Sequence, residues 1–212
     1  LEPLAVAANI LQSLDTRLDI TLLTWANLYR IYSGPSLDDA VRVQVLNSLS
    51  KRWLQMDQDA FISAVIMNPY IRAKCFARGN PQLSSIGLYN IVKHTFARML
   101  RKDPDLDFHN TFFDYLLDAK EFSSSLMGIA ELKVLCEKES TSVNLVMLWE
   151  RLDTGVSHRR NSLIQFAVRL LSIVTNSASC ERAFSEFGIT HTKRRNRLSE
   201  EKVHKTTIVK MD

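Results

Sequence analysis

Apolar residues return every three or four positions along almost the whole chain, which is the spacing of a single helix face. Leu4, Ala7, Ala8 and Leu11 make one stripe. Leu18, Leu22, Trp25, Leu28, Tyr29 and Tyr32 make a second, which stops at Gly34 and Pro35. Ser36 followed by Asp39 resembles a capping box with a shortened acid, and Val41, Val45, Leu49 and Trp53 carry a third helix to about Leu54. Phe61 to Met67 is apolar and β-branched enough for a strand. It follows Asp57 and Asp59, which suit a helix first turn, and stops at Asn68 and Pro69, so a short helix is expected there, resuming over 70–76. Ser84 or Ser85 caps the next helix, and Leu88, Ile91, Val92, Thr95, Phe96 and Met99 form its inner face up to Asp103 and Pro104. Further helices are expected over 108–119, 126–136 and 143–152, and one face of Leu163, Phe166, Ala167, Leu170 and Leu171 follows.

The expected fold is therefore all-α or mainly α. Only six glycines and five prolines among 212 residues disfavour the many turns of a sandwich or barrel. Cys75, Cys136 and Cys180 are far apart, odd in number and without a CxxC pair, which supports neither a disulfide framework nor a zinc ribbon. His94, His109, His158, His191 and His204 share no metal-ligand spacing. Trp25, Trp53 and Trp149 each lie on an apolar helical face and read as core anchors. The longest apolar run falls well short of the ~20 residues a membrane helix needs, so no membrane partner is expected. The chain opens at Leu1 and enters a helical pattern at once, which reads as a piece of a longer protein.

Charge is unevenly placed. From Arg159 onward there are 11 basic and 5 acidic residues, whereas 16 basic face 18 acidic before it. The stretch 153–160 coincides with this change and is the candidate boundary, dividing a helical region 1–153 from a basic region 154–212. A basic tail suggests an anionic partner, nucleic acid being the simplest. Within it Lys193, Arg194, Arg195 and Arg197 cluster around Asn196, which suits phosphate contact or nuclear import as well as a solvated loop.

From Asn176, a suitable N-cap, residues 177–188 sort into three faces of a helix. Cys180, Ala183, Phe184 and Phe187 form the apolar stripe, Arg182 and Glu186 pair on the far side, and small residues Ser177, Ser185 and Gly188 surround Glu181. No cation stands four residues either side of Glu181. A carboxylate there either complements the helix dipole in water, the plainer reading, or ligates a divalent cation that the small neighbours let approach. Glu200 and Glu201 then suit the first turn of a last helix with Val203, Thr206, Thr207 and Ile208 on its apolar side.

The run from Asn176 through Ser177, Ala178, Ser179, Cys180, Glu181, Arg182, Ala183, Phe184 and Ser185, then Phe187, Gly188 and Lys193 to Ser199, resembles the C-terminal dimerisation region of hAT-family DNA transposases, over about residues 145–212. Lys51 to Trp53, Phe61 to Tyr70, and Cys75 with Phe76 are more weakly similar to the helical portion of fungal-type members. The resemblance implies a helical insertion followed by the C-terminal helices of an RNase H-like core. It assigns Glu181 to a DDE triad that holds Mg2+ or Mn2+ in a full-length active enzyme. It also implies nuclear location, a homodimer or higher oligomer, and DNA as a further partner. Phe166, Leu170, Phe184, Phe187, Leu198, Val203 and Ile208 then become core or dimerisation residues. The family's catalytic aspartate strands, BED zinc finger and Cys-x-x-His motif have no counterpart in this sequence. Asp15, Asp19, Asp38 and Asp39 sit in helical or capping contexts and are not candidates for the missing carboxylates. The isolated chain is accordingly expected to need no cofactor and to be inactive. The alternatives are a fragment of an active transposase, or a helical scaffold with no DNA role.

Overall fold

The computed structural model describes residues 2–13, 16–35, 38–77, 79–155 and 160–176. Among them it is all helix: α1 (Glu2–Leu11), α2 (Leu18–Tyr32), α3 (Asp39–Trp53), α4 (Gln58–Ile66), α5 (Ser85–Leu100), α6 (Leu106–Leu116), α7 (Ile129–Lys138), α8 (Leu145–Glu150) and α9 (Asn161–Leu171). Short 3-10 turns at Pro81–Leu83 and Lys120–Phe122 complete it. The only extended pairing among the described residues is an isolated antiparallel bridge between Arg17 and Val174.

α4 is the axis of the molecule. Ala64, Val65, Ile66 and Met67 are fully buried or nearly so, so its sequence is apolar all round rather than striped. Pro69 prevents the helix from continuing, which leaves its last carbonyls without intrahelical donors. Two aromatic side chains from far along the chain supply them: Tyr115 Oη donates to the Ile66 carbonyl at 2.8 Å and Trp149 Nε1 to the Met67 carbonyl at 2.9 Å. Each of these large side chains buries its ring and still has its one polar atom satisfied. Around α4, Phe96 of α5, Phe108 of α6 and Phe166 of α9 cluster with ring centroids 4.2 to 6.3 Å apart. A second, smaller core of Ala7, Leu28, Tyr32 and Leu49 joins α1, α2 and α3, with Trp25 packed against it.

Most helix starts follow local capping chemistry. Ser84 caps α5 by accepting from the Gly87 amide, Asp105 caps α6 through Phe108, and Asn144 caps α8 through Met147. Gly87 must be glycine, since a Cβ there would run into the Gln82 carbonyl oxygen. Four local expectations are corrected. The cap of α3 is Asp38, whose carboxylate accepts from the Ala40 and Val41 amides, whereas the sequence pointed to Ser36. α7 begins at Ile129 rather than near 126, because Gly128 takes a left-handed conformation immediately before it. α6 ends at Leu116 rather than 119, since Asp118 and Lys120 both have positive φ. Residues 70–76 form successive turns, not a resumed helix.

The reason for the last is Arg72, which adopts φ 52° and is only 2% exposed. Its guanidinium donates to the carbonyls of Tyr115 at 2.9 Å and Phe122 at 2.6 Å, pairs with Asp118 at 2.7 Å, and lies 4.8 Å from the Tyr115 ring centroid. A helical Arg72 would point elsewhere. Asn68 turns the chain beforehand by accepting from the Tyr70 amide.

Candidate functional site

The described part of the basic region is Thr154, Gly155, Arg160, α9 and the five residues after it. Among the residues singled out from the sequence, Phe166 and Leu170 lie here, both on the buried face of α9 and wholly enclosed by the main core. Glu181, Phe184, Phe187, Lys193, Arg194, Arg195, Arg197, Leu198, Val203 and Ile208 lie outside the described residues.

Arg160 and Asn161 hold the start of α9. Arg160 donates to the Leu152 carbonyl at 3.0 Å and pairs with Glu121 at 3.0 Å, while the fully buried Asn161 donates to Asp153 at 2.8 Å. The candidate boundary at 153–160 is thus the connection between α8 and α9, and α9 shares one core with α4, α5 and α6.

The far end of α9 leads into a clasp with the α1 to α2 connection. The Thr175 amide donates to the Thr16 carbonyl at 3.0 Å, the Thr175 and Thr21 hydroxyls are 2.8 Å apart, and Asn176 Nδ2 donates to the Leu11 carbonyl at 3.0 Å. Asn176, read from sequence as a cap for a following segment that lies outside the described residues, donates its side-chain amide to the last carbonyl of α1, that of Leu11. Beneath the clasp Asp19 is fully buried, held by Arg17 at 3.0 Å and by Asn68 Nδ2 at 2.8 Å. The clasp thus ties residues 16–21 to the chain immediately before Ser177.

A groove of about 580 Å³ beside the clasp is lined by Thr16, Arg17, Asn68, Tyr70 and Lys133, among others. Its cations are already engaged, Arg17 with Asp19 and Lys133 with Glu137. Among the described residues no three His, Cys, Asp or Glu side chains gather where a metal ion could sit. Asp19 is spent on Arg17 and Asn68, Asp38 caps α3, and Asp39 pairs with Arg42.

Sequence reasoning passed over Arg72, and read Asn68 only as a helix stop and Asp19 only as a helical residue rather than as partners in a buried contact. The nearest signal was Asn68 with Pro69, which marked a stop without saying what the following arginine would bind.

Comparison with known protein families bears on α7 to α9 and the residues after them, and not on Arg17, Asp19, Asn68 or Arg72. Residues 129–212 match the hAT family C-terminal dimerisation region. The hAT-like segment opens at the first residue of α7, upstream of the change in charge, and takes in α8, α9 and the clasp residues Thr175 and Asn176. A search of curated proteins and a search of solved structures found no match. No helix among the described residues is long and apolar enough to cross a membrane.

Proposed function

We propose that this chain is the self-associating C-terminal part of a hAT-like transposase or of a domesticated derivative, working in the nucleus as a homodimer or higher oligomer. The observation that carries the reading is the match of residues 129–212 to the family's dimerisation region. The match agrees with the motif around Glu181 and with the basic cluster of Lys193, Arg194, Arg195 and Arg197, which suits DNA phosphates.

In a full-length enzyme, Glu181 would act with two aspartates on RNase H-like strands, and Mg2+ or Mn2+ held by that set would activate water or a 3′-hydroxyl. A single carboxylate does not hold a metal pair, and Glu181 itself lies outside the described residues. The role we read for the chain itself is assembly. What supports this is the way α9 and the clasp anchor the described part of the hAT-like segment to the helical body.

Sedimentation equilibrium of the chain over a wide concentration range tests the reading: a mass above that of the 24.2 kDa monomer is expected. A monomer at the highest concentration overturns it. Plasmid nicking by the purified chain that requires Mg2+ and vanishes in Glu181→Gln would assign the chain a catalytic role instead.

A further inference from the structure

The helix that opens the hAT-like segment is the least engaged of that segment's described elements. α7 reaches the main core through Ile129 and Leu132 and makes only slight contact with other helices. Its opposite side carries Glu131, Val134, Leu135 and Lys138, all exposed, at the i, i+3, i+4, i+7 spacing of one helix face. Val134 is 49% and Leu135 56% exposed, so two adjacent apolar side chains stand in water at the middle of this face. Glu131 and Lys138 make no ion pair among the described residues, while Lys133 and Glu137 pair on the flank at 3.8 Å.

The order acid, apolar, apolar, base is self-complementary. A two-fold axis between Val134 and Leu135 sets Glu131 against the partner's Lys138 twice, and Val134 against the partner's Leu135 twice. A parallel arrangement would instead bring like charges together at both ends, which repel. The face therefore selects both a second copy of itself and the direction of approach.

We propose that α7 pairs antiparallel with α7 of a second copy, across a two-fold axis between Val134 and Leu135 that opposes Glu131 to the partner's Lys138. The pairing rests on the self-association proposed above and names its surface. All four side chains point away from the core, so substitutions there leave the fold intact.

Sedimentation equilibrium in reducing buffer on wild type, Glu131→Lys, Lys138→Glu, the double exchange and Leu135→Asp tests it, with thermal melting as the control for folding. Each single reversal should weaken the dimer about tenfold, because the two-fold axis counts every change twice. The double exchange should restore wild-type affinity, and Leu135→Asp should weaken the dimer with no rescue. A wild-type dimer indifferent to the single reversals, or a double exchange as weak as either single, overturns the pairing while leaving self-association standing. A wild-type monomer overturns both.

Discussion

Arg72 shows how a single residue can set a loop. It is charged and buried, and it bridges the end of α6 and the following 3-10 turn, 40 or more residues away, through the carbonyls of Tyr115 and Phe122. Removing one partner of a buried charged network leaves the others unsatisfied, which costs far more than an exposed pair is worth. Arg72→Met should lower the unfolding free energy by about 3 kcal/mol in urea titration. Asp118, at the rim of the same network, offers a pH readout. Partial burial pushes its carboxyl up, but the Ser124 hydroxyl and amide, together with Arg72, hold it below the usual carboxylate range. A carboxyl lowered by folding contributes stability above its ordinary pKa of about 4, and that contribution disappears as pH falls through the folded value. Asp118→Asn should therefore be less stable than wild type at neutral pH and lose less stability on acidification. Equal pH dependence of the two urea midpoints would contradict this.

At the scale of elements, the clearest result is that α9 belongs to the core. Its Phe166 ring packs on Phe96 and Phe108, and its Leu170 is enclosed by the same cluster. Phe166→Ala should cost about 3 to 5 kcal/mol, a core cavity rather than a loosened docking face, and should lower the melting temperature of the whole described body in one transition. Two separate transitions, with only one shifted, would mean that α9 folds apart from the rest. α4 depends equally on other elements. Its carbonyls at Ile66 and Met67 are satisfied by α6 and α8, so it gains its C-terminal hydrogen bonds only when those helices have docked. α7 is the contrast, with a face that the described body leaves in water.

For the whole molecule, the balance of charge sets the prediction. The basic excess lies from Arg159 onward, and any phosphate contact made by Lys193, Arg194, Arg195 and Arg197 releases counterions. DNA affinity measured against salt should fall steeply for wild type, and each cation replaced by alanine should flatten the log-log slope by about one unit. A flat slope for wild type removes DNA backbone as a partner. By itself the sequence determined that the chain is helical and where most helices start, because helix periodicity and side-chain caps such as Ser84, Asp105 and Asn144 act within a few residues. The same locality groups small residues around Glu181 and clusters Lys193, Arg194, Arg195 and Arg197, all outside the described residues. Only the tertiary structure decided that Arg72 breaks a helix, that Asp19 is consumed by Arg17 and Asn68, and that Asn176 closes α1. Each of those outcomes rests on a donor or acceptor brought from 40 to 165 residues away, and no pattern within one helix carries that information.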